Sequence, residues 1–349
     1  MPKDSNGNGR VLSGMRPSGK LHLGHLHGVL DNWLELQEKY DCFFFVADWH
    51  ALTTEYANPR GIKSNVPDMV IDWLSVGIDP ALSTIFCQSD VKEHAELYVL
   101  LSMYTPLGWL ERNPTYKEQL EELKSKDIRS LGFLGYPVLQ TADIIIYKAD
   151  KVPVGADQAP HIELSREITR RFNHLTNPDS SKGNKKGNND NSVGIFPEPE
   201  TLLTKAAKVL GTDGRKMSKS YDNSIYISDD ADTIDKKIRT MVTDTARQKK
   251  TDPGDPKKCP MFETFHELYS DEETKAWAIE GCTKATIGCI ECKKAVIPKV
   301  LERMEPIHKR RAELIAKPDS VTEILTMGAE KAREVAGETM SEVRKALGL

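Results

Sequence analysis

Short apolar runs alternate with helical patterns through the first hundred residues. "RVLSG" (10–14), "CFFFVAD" (42–48) and "TIFCQS" (84–89) read as buried strands. Between and after them, "LGHLHGVLDNWLELQEKY", a stretch around 61–77 and another from about 92 to 103 repeat apolar residues at helical spacing. Strand and helix in alternation predict an α/β fold, a Rossmann-like parallel sheet with crossover helices. Ligands of such sheets bind beyond the carboxyl ends of the strands. The residues to watch are therefore Gly14–His25, Asp48–His50 and Gln88–Ser89.

Residues 104–172 read as mostly helical, with Leu164, Ile168 and Phe172 at i, i+4 spacing. "NPDSSKGNKKGNNDNSVG" (177–194) has almost nothing to bury and predicts an exposed, mobile loop. After "DGRKMSKSYDNS" the pattern is helical to the end, including an amphipathic stretch from Val321 to Leu347. The expected organisation is a leader (1–9), a sheet domain (10–226, carrying the helical insertion 104–172 and the loop) and a helical domain (227–349). No internal repeat is visible.

With 349 residues, 39% hydrophobic and 29% charged, the chain can bury the cores of two domains. No apolar run approaches the ~20 residues of a membrane span, and the polar start carries no secretory signal, so no membrane partner and a cytoplasmic location are expected. A net charge of -4 makes any nucleic-acid surface a local patch. Lys236, Lys237 and Arg239, then Arg247, Lys249 and Lys250, then His308 to Arg311 are the clusters available, or else solvated helix faces.

Six cysteines in a reducing compartment argue against a disulfide framework. Cys42 and Cys87 sit in strand-like runs and read as core. Cys259, Cys282, Cys289 and Cys292 form a C-x22-C-x6-C-x2-C pattern, which fits tetrahedral zinc or a cubane iron–sulfur cluster, with free thiols the remaining option.

Two stretches carry the chemistry. "GMRPSGKLHLGH" (14–25) places a Gly/Pro turn after a strand and His22 and His25 at a helix start, where free N–H groups and the dipole favour an anion. Gly24 between them would let a flat ring lie on the backbone. "DGRKMSKS" (213–220) offers Lys216 and Lys219 on a Gly-led loop, suited to charge building on a leaving pyrophosphate. Alone, each stretch also reads as a polar helix start or a lysine-rich loop.

Together, HxGH after the first strand and KMSKS later in the same domain resemble the paired motifs of class I aminoacyl-tRNA synthetases. "YPVLQTADIIIYKADKVPVGADQAPHIELSREITRRFN" (136–173), "GMRPSG", "DWHALT" and "VGIDP" resemble the bacterial tryptophanyl branch, over residues from about 10 to the end. The resemblance implies a Rossmann-type catalytic domain followed by a helical anticodon-binding domain, and a homodimer. It implies a tryptophan–tRNA ligase using ATP, Mg²⁺, L-tryptophan and tRNA(Trp). Catalytic roles fall to His22, His25, Lys216 and Lys219. Arg16, Pro17, Ser18, Gly24, His25, Gly155, Ala156, Asp157 and Val209 would bind ATP, together with Lys117 and the loop residues Lys216, Met217, Ser218, Lys219 and Ser220. Asp143 would accept the indole N–H, with Gln140, Tyr136, His50, Val152 and Val154 as the pocket wall.

A buried carboxylate suits indole, whose one polar atom is only a donor. The sequence departs from the usual pattern at Gln140, where many members carry Met, and at His25 and Arg16. Gln140-x-x-Asp143 is also a tyrosyl-enzyme spacing, so tyrosine is the alternative substrate; a catalytically idle tRNA- or tryptophan-binding relative is another. The cysteine pattern resembles a subset of tryptophanyl enzymes with a 4Fe-4S cluster, which implies a structural site in the tRNA-facing domain, with zinc the alternative.

Overall fold

The computed structural model describes residues 9–114, 116–117, 120, 128–155, 158–177, 194–203 and 209–349. Most of the leader and of the 177–194 loop lie outside them. Five strands form one parallel sheet in the order β3–β2–β1–β4–β5: β1 (Arg10–Met15), β2 (Asp41–Val46), β3 (Ser83–Cys87), β4 (Lys151–Val154) and β5 (Glu200–Leu203). The first three are the strands the apolar runs predict. The other two correct the sequence reading, because β4 falls inside a region expected to be helical. Four residues with a proline among them carry too little periodicity to announce a strand.

In β2, side chains alternate between two covered faces, so every position from Cys42 to Val46 is apolar and buried. Cys42, Phe44 and Val46 join one core, where Trp33 stacks on Phe44 at 4.2 Å and Trp73 packs edge-on to Trp33. Phe43 and Phe45 join the other, with Phe86, Tyr147 and Phe172.

The predicted helix after β1 is continuous but changes pitch: α1 (Leu23–His25), a π-helical turn (Leu26–Leu30) and α2 (Asp31–Gln37). Then come α3 (Asp48–Glu55), α4 (Pro59–Val76), α5 (Glu93–Tyr104), α6 (Leu107–Glu111), α7 (Leu131–Ile146) and α8 (Ala159–Thr176). Helix α4 starts on a proline, whose missing N–H costs nothing there.

The last third contributes α9 (Ala231–Thr240), α10 (Glu272–Thr283), α11 (Cys289–Ile315) and α12 (Pro318–Leu347). At the start of α11, Glu291 folds back to accept the Gly288 N–H at 2.6 Å. At its other end, Arg310 donates to the carbonyls of Ser75 and Val76 that close α4, and Arg311 pairs with Asp72 at 2.9 Å and with Asp68. Helix α12 runs along the outer edge of β3. Gly328 lies so close to that strand that a Cβ would stand 1.8 Å from the Ile85 carbonyl oxygen, so only glycine fits.

Candidate active site

Strand β1 neighbours β2 on one side and β4 on the other, so the connections diverge at the carboxyl ends of β1 and β4. Such a switch point opens a crevice. A cavity of about 430 Å³ occupies it. All six residues expected as tryptophan-pocket wall or acceptor line it: Asp143, Gln140, Tyr136, His50, Val152 and Val154. Arg16 and Gly155 of the expected nucleotide set line it too. Gln158 and His161, just before and on α8, complete that wall.

Asp143 sits on α7 at 1% exposure. Its Oδ1 accepts from Gln88 Nε2 (2.8 Å) and His94 Nδ1 (2.6 Å); its Oδ2 accepts from Gln88 Nε2 (2.9 Å) and His50 Nε2 (2.7 Å). Burial by itself would raise the carboxyl's pKa, but the hydrogen bonds and charges of His50 and His94 outweigh it and hold the group below its ordinary value. Behind His94, its Nε2 meets the Tyr147 hydroxyl at 2.6 Å. Tyr136 holds His161 Nε2 at 3.0 Å, and burial pushes its phenol up to about 12.

The first motif corrects the expectation of free N–H groups. His22 is the N-cap of α1; its Nδ1 accepts the Gly24 N–H (3.1 Å), while His25 Nδ1 accepts the His22 N–H (3.2 Å). Leu23 N–H goes to Ile225, and those of His25 and Leu26 go to His22. The first turn thus spends its amides internally, and an anion must be met by side chains instead. Burial first, then the nearby lysines and the neighbouring imidazole, lower His22 to about 4 and His25 to about 3. Each neutral ring accepts at Nδ1 and so carries its proton on Nε2, as a donor. Gly24 is required by the His22 ring, which a Cβ would meet at 2.9 Å.

The second motif is stitched to the first. Ile227 N–H donates to Leu21 and Leu23 N–H to Ile225, a short antiparallel pairing across some two hundred residues. Buried Asn223 clamps the loop, accepting from Ser218 N–H (2.8 Å) and donating to Asp213 (2.7 Å) and the Lys216 carbonyl (3.2 Å). Met217 is buried and its N–H donates to Val209, itself a core residue. Lys219 Nζ donates to the Ser18 carbonyl at 3.1 Å and lies 3.4 Å from its hydroxyl; burial lowers it to about 8, opposed by Asp72. Lys216 and Ser220 are exposed, and the Pro17 carbonyl accepts from Asn65. Lys117 is exposed, and among the described residues no hydrogen bond or ion pair ties its side chain to these loops. Ala156 and Asp157 lie outside the described residues.

The four C-terminal cysteines share one neighbourhood. Burial, then Cys259, Cys282 and Cys289, push Cys292 up to about 12; burial also raises Cys259 and Cys282. His266 Nε2 lies 3.1 Å from Cys292 Sγ, and Arg247 Nη1 3.7 Å from Cys282 Sγ. Among the described residues, however, no three His, Cys, Asp or Glu side chains are gathered as a single-ion site. Of the lysines nearby, Lys293 donates to the Arg239 and Met241 carbonyls while its charge lowers Cys292, Lys284 pairs with Glu280 and Lys258 with Asp255.

The family described as class I tRNA synthetases (W and Y) matches residues 3–305, and the chain belongs to it. A tryptophan–tRNA ligase from Thermotoga maritima is 49% identical over 97% of this chain and 99% of its own. One from Ralstonia nicotianae is 48% identical, covering 97% and 98%. The solved structure of tryptophanyl-tRNA synthetase from Campylobacter jejuni, complexed with ADP and tryptophan, superimposes with a TM-score of 0.82 at 36% identity, covering 97% of this chain and all of that one. Within the family this chain is an aminoacyl-tRNA synthetase of the tryptophan type.

Proposed function

We infer that the chain is a tryptophan–tRNA ligase that activates L-tryptophan with ATP and transfers it to tRNA(Trp). The observation that carries the site reading is the buried, ionised Asp143 facing an otherwise mostly apolar cavity at the sheet's switch point. The tryptophan carboxylate attacks the α-phosphate of ATP, the adenylate forms and pyrophosphate leaves; a ribose hydroxyl of the tRNA then takes the acyl group. No protein nucleophile is needed, and catalysis is positioning with charge stabilisation. Asp143 accepts the indole N–H. His22 and His25 donate through Nε2 to phosphate oxygens, and Lys219 and Lys216 supply the positive charge, with Mg²⁺ bound alongside ATP. Arg16, Pro17, Ser18, Gly24, Gly155, Ala156, Asp157 and Val209 frame the nucleotide.

The same reading assigns residues 10–226 to catalysis and 227–349 to the anticodon, in a cytoplasmic homodimer. Exposed apolar side chains on three neighbouring elements, Val99 and Met103 of α5, Leu107 of α6 and Leu131 of α7, support the two-fold contact. The four cysteines suit a 4Fe-4S cluster better than zinc. Soft thiolates are the right donors for either, and the C-x22-C-x6-C-x2-C spacing, with a single C-x-x-C pair, favours the cluster. Cys259, Cys282, Cys289 and Cys292 would hold it, as a cross-link of the helical domain.

Amino-acid-dependent ATP–pyrophosphate exchange tests the assignment. Exchange with tryptophan is expected. Exchange with tyrosine and none with tryptophan would overturn it, as would tRNA binding without adenylate formation. Iron and zinc analysis of protein purified without oxygen decides the metal.

A further inference from the structure

We propose that His50 is an exchangeable donor: it satisfies Asp143 while the site is empty and cedes its place to the indole N–H, whereas Gln88 and His94 stay on the carboxylate throughout. This rests on Asp143 being the indole acceptor.

A carboxylate offers about four lone-pair positions. At Asp143 three N–H groups engage both oxygens: the Gln88 amide bridges the pair, His94 holds Oδ1 and His50 holds Oδ2. A fourth donor reaches a well-placed lone pair only if one of these leaves. The structure distinguishes them by how they are anchored and where they stand. Gln88 is fully buried, spans both oxygens, and its Oε1 accepts the His50 backbone N–H at 3.4 Å. His94 is fully buried and held at both nitrogens, by Asp143 and by Tyr147. Neither lines the cavity. His50 does; its side chain is 13% exposed, and among the described residues its ring has the Asp143 bond alone.

The exchange has a purpose. A buried carboxylate short of donors is costly, so an empty site without a stand-in would strain the fold. Swapping one N–H for another leaves the carboxylate's complement unchanged for tryptophan. A side chain without a donor would push His50 aside and put nothing in its place. Rejection of such a ring is then built into the site.

Proton NMR of protein labelled with ¹⁵N-histidine tests this. Three carboxylate-bonded imidazoles, His27 on Asp31 and His50 and His94 on Asp143, should give downfield N–H signals, and His50→Asn identifies its own by removing it. Saturating tryptophan should abolish or shift the His50 signal and leave that of His94. Both signals unchanged with tryptophan bound would overturn the exchange. A second readout is tryptophan affinity by calorimetry: His50→Ala, which leaves a lone pair of Asp143 without its stand-in, should bind tryptophan a few-fold tighter than the parent. Tenfold weaker binding by a folded variant would make His50 a fixed wall. Asp143→Leu, which offers no acceptor, tests the underlying reading separately: if the folded variant binds tryptophan as the parent does, Asp143 is not the acceptor and the exchange falls with it.

Discussion

At Asp143 three side chains deliver four hydrogen bonds to one buried carboxylate; around Cys259, Cys282, Cys289 and Cys292 four thiols crowd one another with His266 and Arg247 beside them. The first cluster keeps its charge because its donors outweigh burial. In the second, burial and mutual repulsion push thiols upward, so they stay protonated on their own. A metal group would invert that, since thiolates are the ligating form and positive charge favours them. One end of the protein keeps a buried charge by surrounding it with donors; the other keeps its buried thiols neutral.

The contrast can be broken most forcefully at the charged end. Asp143→Ala should cut kcat/KM for tryptophan-dependent exchange on the order of 10³–10⁴-fold, because the acceptor is lost and three donors are left unpaired. A loss under tenfold would show that the carboxylate is not where specificity lies. Lys219→Ala should lower kcat about 10²–10³-fold with tryptophan affinity unchanged, since its charge is used only as pyrophosphate leaves. At the cysteines, if the proposed cluster is held there, Cys289→Ser should abolish iron content and lower Tm by several degrees, each kcal/mol lost being worth about 2–4 °C. If Tm is indifferent to both the substitution and a chelator, the thiols stand alone.

The smallest effect concerns the two motif histidines. Unfolded, each binds its proton near 6.5; folded, His22 does so at about 4 and His25 at about 3. Between those values the unfolded chain holds more protons, so stability falls as pH drops. Their contribution is complete above 6.5 and disappears as pH passes down through the folded values. Urea midpoints at pH 7 and pH 5 should therefore differ, and the difference should shrink in His25→Asn.

What the sequence makes legible follows from continuity. GMRPSGKLHLGH and DGRKMSKS each lie in one unbroken stretch, and so does the segment carrying Tyr136, Gln140, Asp143, Val152 and Val154. The partners of Asp143 do not. Gln88 follows β3, where a ligand-facing residue is expected, but nothing gives it a task. His94 sits inside α5 and Tyr147 just beyond α7; only packing brings them together, and no spacing along the chain encodes it. The same limit explains the misjudged amides of the first turn: a histidine rarely serves as N-cap, so its use of the Gly24 N–H is invisible until the ring is placed.

Helix α12 bears on how the chain is made. Its Gly328 seals the open flank of β3 about 240 positions after that strand has been synthesised. At about 5–20 residues per second, the ribosome leaves β3's unpaired N–H and C=O groups uncovered for on the order of ten to fifty seconds. A side chain at position 328 would extend that exposure into the finished protein, so the first symptom of such a variant should be strand-mediated aggregation during translation.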